Sequence, residues 1–234
     1  MPGNQTWAVL FDGDGTLWEY EPSMRSALEL TLEELWSRLP ETIGYGMTVD
    51  AMVAIRNEVA VELDGRVDDL AAVRVAAFER TLEILGIADD ALTAELSASF
   101  FSHRTRLLSP RPEALTVLSG LETFRLGYVT NGTSFPADVG LENFFEIALR
   151  SIDHGTVKPH PGMLLTAAQH VDVAPERVIM VGDSQAEDVG AARAAGMTSI
   201  LLSEEADPDL PTPHYVVQSL TAIPEILMRL LRSS

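Results

Sequence analysis

Cysteine is absent from this chain of 234 residues. Disulfides and thiolate metal sites are therefore excluded, and a secreted disulfide scaffold with them. Lysine is nearly absent as well, with fifteen arginines against the single Lys158. Basic residues as a class are scarce, sixteen against thirty-five acidic ones, for a net charge of −19. Such a balance argues against a polyanionic partner, whether nucleic acid or an acidic membrane surface, and its simplest meaning is solubility. The first twenty residues lack a long apolar run. Trp7 to Phe11 is too short for a signal peptide or a membrane span, so the expectation is a cytoplasmic protein. Hydrophobic residues still make up 46% of the chain, enough for the core of one large domain or two smaller ones.

The lone lysine has two readings before its context is known. It is either a surface remnant of a lysine-poor composition or a position where a guanidinium fork cannot replace a compact point charge.

Near-continuous apolar runs recur at 7–11, 126–129, 178–181, 200–202 and 215–217. Runs that do not alternate suit strands buried on both faces of a parallel sheet. Helical segments at 161–171 and 185–195 separate the later runs, and Ile223, Ile226, Leu227, Leu230 and Leu231 repeat as an amphipathic closing helix. Ser184 with Glu187 three residues on is a capping-box signature, which assigns Glu187 to the helix start. The stretch 21–107 differs. It has no strand-like run, and its periodicity (Leu28, Leu32, Leu35, Trp36, Leu39, then candidate helices near 48–64, 68–86 and 89–106) is helical, with Gly44-Tyr45-Gly46, Gly65 and Gly86 as punctuation. The fold class expected is α/β, a doubly wound parallel-sheet, Rossmann-like core from 1–20 and 108–234, with an α-helical cap domain inserted at 21–107.

The chemistry collects at strand ends. Asp12-Gly13-Asp14-Gly15-Thr16 follows the first apolar run, Thr130-Asn131-Gly132 the second, and Gly182-Asp183-Ser184 the third. Ionised groups at the end of a buried strand are disfavoured unless a cation compensates them. Two carboxylates about 4 Å apart repel by roughly 4 kcal/mol at an effective dielectric near 20. In an open parallel sheet the carboxyl ends of the strands line one crevice, so these groups meet although distant in sequence. Lys158 lies on the approach to the strand at 178–181 and can be delivered to the same edge.

Asp12-x-Asp14-Gly15-Thr16, the Thr130-Asn131-Gly132 turn, Lys158-Pro159, and Gly182-Asp183-Ser184 with Asp188 five residues after Asp183 resemble the four ordered motifs of the haloacid dehalogenase superfamily. The helical insertion matches the position of that family's helical cap. The resemblance implies a magnesium-dependent phosphatase acting on a small phosphorylated metabolite. Asp12 would be the nucleophile that becomes an aspartyl-phosphate, and Asp14 the general acid and then base. Asp12, the Asp14 main-chain carbonyl and Asp183 would hold Mg2+. Thr130, the Asn131 amide, Gly132 in the same turn, and Lys158 would receive phosphoryl oxygens. Asp188 would stand behind them, orienting Lys158 or a water on the metal. Thr16 is expected to orient Asp14 by a hydrogen bond, and Trp18 and Tyr20 to form either a gate wall or core. His160 reads as a solvated loop histidine.

Gly13 departs from the family pattern, in which a bulkier apolar residue is common. It leaves the expectation of a looser turn or a small space beside the nucleophile. Asp14 argues for phosphoryl transfer against the dehalogenase branch, which lacks it, and a cap without lysine argues against the phosphonate-cleaving branch. A phosphomutase of the β-phosphoglucomutase type shares the same core residues, and a signalling module phosphorylated on aspartate is a more distant rival. In the cap, Arg25, Tyr45, Arg56, Arg74 and Arg104 are candidates to touch substrate, against solvated helix faces as the plainer reading.

Overall fold

The computed structural model describes residues 6–40, 46–63 and 70–233. Gly44, Tyr45 and Gly65 lie outside the described residues. The chain divides into two compact units, Met1–Glu19 with Ser109–Ser234, and Tyr20–Leu108.

The first unit is an α/β layer structure. Six parallel strands, β1 (Ala8–Phe11), β2 (Arg125–Thr130), β3 (Ile147–Arg150), β4 (Val178–Gly182), β5 (Thr198–Leu202) and β6 (Tyr215–Val217), form a sheet in the order β3-β2-β1-β4-β5-β6. Ala8, Val9, Leu10 and Phe11 are wholly buried, as befits the central strand with helices over both faces. Strand β3 was not foreseen from the sequence. It is an edge strand whose four residues are only partly buried, and its three apolar residues, Ile147, Ala148 and Leu149, lie between Glu146 and Arg150, a stretch too short to separate strand from helix by pattern. On one face Ala8, Leu10 and Met180 pack with Met163, Leu164, Ala167, Ala191 and Ala192 in a single apolar cluster. The strand order reverses between β1 and β4, the position at which open sheets of this kind leave a crevice. Phe11 pairs with Tyr128 and with Val181, so Asp12 leaves the sheet beside the ends of β2 and β4.

The second unit is helical: α1 (Tyr20–Arg38), α2 (Val49–Glu62), α3 (Leu70–Ile84) and α4 (Asp90–Leu107). Thr48 and Asp89 cap α2 and α4, accepting from the amides of Ala51 and Leu92 at 3.2 and 3.0 Å. Leu28, Leu35, Phe78, Leu82 and Phe100 form its core, with α1 against α4 and α2 against α3. His103 joins these layers, its Nε2 2.7 Å from Glu34 Oε1. Among the described residues no helix is long and apolar enough to cross a membrane.

Among the described residues the first unit also carries the α-helices α5 (Ala114–Ser119), α6 (Ser151–His154), α7 (Gly162–His170), α8 (Gly190–Ala194) and α9 (Ile223–Ser233). The continuous helix expected over 185–195 begins instead as a π-helical turn, Gln185–Val189, that leads into α8. The amides of Asp188 and Val189 both bond to the Ser184 carbonyl, at 2.8 and 3.4 Å, which widens the turn that carries Asp188.

Candidate active site

The turn after β1 is fixed by its own backbone. The amides of Thr16 and Leu17 bond to the Gly13 carbonyl at 3.0 and 2.9 Å, and the Gly15 amide bonds to the Trp18 carbonyl at 2.9 Å. Gly15 has φ +88°, and a Cβ there would stand 2.5 Å from Asp183 Cγ, so both the left-handed backbone and the neighbour require glycine. Arg111 clamps the turn from outside, donating to the carbonyls of Gly15 and Thr16 at 2.8 and 3.0 Å. No sequence signal marked Arg111, because its role is to satisfy main-chain carbonyls.

Lys158 is 2% exposed. Its Nζ donates to Asp12 Oδ1 at 2.7 Å, to Asp188 Oδ1 at 2.6 Å and to the Val129 carbonyl at 3.0 Å. An ammonium has three N–H groups, and three acceptors on three sides match them, which a planar guanidinium cannot do. Burial by itself would lower the Lys158 pKa, but the charges of Asp12 and Asp188 outweigh it and hold the group protonated above its usual range. Burial pushes Asp188 up to about 7; the ammonium opposes this, and Asp12 and Asp183 add to it. Within this buried pair the lysine is the fixed charge. The second Asp188 oxygen accepts from the Ser184 amide at 3.0 Å, so both of its oxygens are engaged.

Asn131 grips the Lys158 main chain from both sides. Its Nδ2 donates to the Lys158 carbonyl at 2.9 Å, and its Oδ1 accepts from the Lys158 amide at 2.8 Å. The Lys158–Pro159 peptide is cis. Glu187 does more than the helix-start role expected of it: its Oε2 accepts from Asn131 Nδ2 at 2.8 Å, while its amide donates to Ser184 Oγ at 3.3 Å. Thr130 Oγ1 accepts from the Gly132 amide at 3.0 Å. A Cβ on Gly132 would stand 2.5 Å from Asp14 Oδ2, so the Asp14 carboxylate faces this turn.

Thr16 is placed differently from the expectation. Its hydroxyl donates to Asp183 Oδ1 at 3.4 Å, and the partner of Asp14 Oδ1 is Trp18, whose Nε1 donates at 2.6 Å. Desolvation about the Asp183 carboxyl, with the Asp12 charge added, pushes it up to about 6, although an outer face of the residue stays exposed. Asp12, Asp183 and Asp188 each offer an oxygen within 4.8 Å of the others'. An all-carboxylate oxygen set suits a hard divalent cation such as Mg2+, and mutual repulsion is what such an ion relieves.

Residues 8–196 match the haloacid dehalogenase-like hydrolase family. The chain belongs to that family. As a phosphatase-like hydrolase it is 30% identical over 228 residues to phosphoglycolate phosphatase of Nitrosococcus oceani, covering 94% of this chain and 95% of the relative. It is 28% identical over 201 residues to glyceraldehyde 3-phosphate phosphatase of Methanopyrus kandleri, covering 82% of each. The crystal structure of 2-haloacid dehalogenase from Pseudomonas syringae pv. Tomato DC3000 superposes with a TM-score of 0.78 at 28% identity, over 96% of this chain and 99% of that one.

The remaining candidates of this haloacid dehalogenase-like hydrolase have other surroundings within their own units. His160 is exposed and accepts from the Gly162 amide at 3.1 Å. In the helical unit Arg25 pairs with Asp50, and Arg104 lies 5.2 Å over the Tyr20 ring. Arg74 is 6% exposed and stacks 4.8 Å over Phe100. Burial lowers its pKa, Tyr20 favours its charge, and Arg56 and Arg104 oppose it. The reading of these arginines as solvated faces therefore fails for Arg74 and Arg104, both of which are buried.

Proposed function

We propose that the protein is a cytoplasmic, magnesium-dependent phosphatase that hydrolyses a small phosphomonoester through an aspartyl-phosphate on Asp12. The observation that carries this reading is the division of labour between its first two aspartates. Asp12 is ion-paired to Lys158 at 2.7 Å, whereas Asp14 turns its carboxylate toward the Thr130–Gly132 turn. An ammonium beside the nucleophile offsets the negative charge of an incoming phosphate, and a carboxyl aimed at the turn that would receive the phosphoryl group is in position to carry a proton.

In the first step a carboxylate oxygen of Asp12 attacks phosphorus, the bond from phosphorus to the ester oxygen breaks, and Asp14 gives its proton to the departing alcohol. In the second, Asp14 takes a proton from water as that water attacks phosphorus, which frees Asp12 and inorganic phosphate. Thr130, the Asn131 amide and the Gly132 region receive phosphoryl oxygens. Lys158, with its three N–H groups already engaged, contributes chiefly its charge. Asp12, the Asp14 carbonyl and Asp183 would hold Mg2+, with Asp188 fastening Lys158 behind them. When bound, the ion neutralises the acidic cluster and draws charge from the phosphoryl oxygens.

The relatives named above act on phosphoglycolate and glyceraldehyde 3-phosphate, which makes short phosphorylated acids and aldehydes the first substrates to try. The test is phosphate release from 4-nitrophenyl phosphate and a panel of alkyl phosphates, with and without Mg2+. Asp12→Asn is expected to abolish turnover, and full activity in that variant refutes the mechanism. Steady release of phosphate from sugar phosphates separates hydrolysis from transfer to a second sugar hydroxyl, and multiple turnovers exclude a signalling module.

A further inference from the structure

Gly13 separates the two aspartates of the first turn, and the space its missing side chain leaves is filled from two other positions. A Cβ on Gly13 would stand 2.5 Å from Trp18 Cζ2 and 2.9 Å from Tyr128 Cε2. The gap expected beside the nucleophile is therefore closed. Trp18 is wholly buried, its ring centroid 5.7 Å from that of Tyr128, and the Tyr128 hydroxyl donates to the Ser134 carbonyl at 2.9 Å. Main-chain bonds hold Trp18 at both sides, from its amide to the Gly13 carbonyl at 3.3 Å and to its carbonyl from the Gly15 amide at 2.9 Å. Ring and backbone are thus both held by neighbours.

From this pocket the indole N–H meets Asp14 Oδ1 at 2.6 Å. Indole has one donor and no acceptor, so when buried it selects an oxygen. The terminal torsion of an aspartate is broad, and a carboxylate without a fixed partner samples many orientations. Here one oxygen is held by the indole and the other, Oδ2, faces the turn at Gly132. Thr16, expected from the sequence to orient Asp14, donates to Asp183 instead.

We infer that Trp18 is a positioning residue for Asp14: its N–H, admitted beside the turn because position 13 is glycine, fixes the carboxyl so that Oδ2 is presented to the leaving oxygen. This rests on the reading of Asp14 as the group that protonates the departing alcohol. Bulk that a larger residue at position 13 would supply comes from positions 18 and 128, and the exchange adds a hydrogen-bond donor that an aliphatic residue lacks.

The test uses leaving groups of different quality. 4-Nitrophenolate departs without a proton, whereas an alkoxide needs one, so loss of aim at Asp14 lowers kcat/KM for alkyl phosphates selectively. In Trp18→Phe, kcat/KM for the fastest alkyl phosphate of the panel is expected to fall by about tenfold or more, while that for 4-nitrophenyl phosphate falls less than about threefold. The ratio of the two is independent of how much of the variant is folded. Replacing Trp18 with 3-benzothienylalanine keeps the shape, removes only the N–H donor, and is expected to give the same selective loss. Equal losses on both substrates in both variants, or none, overturn the inference. Asp14→Asn run alongside separates the two levels. If it shows the selective loss and the Trp18 variants do not, only the role of Trp18 fails; if it shows none, the role of Asp14 fails and that of Trp18 with it.

Discussion

Replacing Lys158 with methionine removes the charge and keeps most of the side-chain volume, so the cost is almost wholly electrostatic. Asp12 and Asp188, 6% and 2% exposed, are then left facing one another without the ammonium that now lies 2.7 and 2.6 Å from them. Removing one partner of a buried ion pair costs about 3–5 kcal/mol. For a chain of this size each kcal/mol moves the melting temperature by about 2–4 °C, so Lys158→Met is expected to melt roughly 6–20 °C lower. The sign of the pH dependence follows from Asp188, which burial raises to about 7. A folded-state pKa above the unfolded value contributes stability that is complete below the unfolded pKa and is lost as pH rises through about 7. Without the ammonium that value climbs further, so the gap between variant and parent is expected to widen between about pH 5 and about pH 8. Scanning calorimetry in EDTA at both pH values measures it, and Lys158→Met with Asp188→Asn should recover part of the loss. A variant that melts within about 2 °C of the parent near pH 8, or a gap that narrows with rising pH, refutes the account of the lone lysine.

Lys158→Arg keeps the charge but cannot place donors toward three acceptors on three sides, and steady-state turnover is expected to fall by at least about tenfold; near-parental rates contradict the match of ammonium to acceptors. Asp183, one of the carboxylates assigned to Mg2+, is raised to about 6, so protons compete with the ion below that value. Calorimetric titration should show affinity increasing with pH up to about 6 and levelling above it, and a flat or reversed trend counts against the carboxylate site. Arg74→Met replaces a buried cation, crowded by two other arginines, with an apolar chain of similar length. Its melting temperature is expected to stay level or rise, and a loss of more than about 1 kcal/mol in urea unfolding shows that Arg74 is better compensated than its contacts indicate.

The parallel core was legible because buried central strands must be apolar on both faces, as β1 and β4 are. The edge strand β3 was not, since three partly buried apolar residues between Glu146 and Arg150 do not by pattern alone separate strand from helix. The turns bearing Asp12, Asp14, Thr130 and Asp183 could be singled out because polar residues at the ends of buried strands have no packing role, and Lys158 because it is the single lysine. Arg111 and the second task of Glu187 could not, because one satisfies main-chain carbonyls and the other an amide fifty-six residues away in sequence.

What the sequence determined by itself is a chemical inventory: acidic groups at two strand ends and a Thr-Asn-Gly turn at a third, one lysine among fifteen arginines, and a glycine between two aspartates. Tertiary structure alone decided how that inventory is paired. It gave Lys158 three acceptors, sent Thr16 to Asp183, and put the Trp18 indole in the space beside Gly13 and on Asp14. The physical reason is that residue type fixes which bonds a side chain can make, whereas distance and burial choose among partners far apart in the chain.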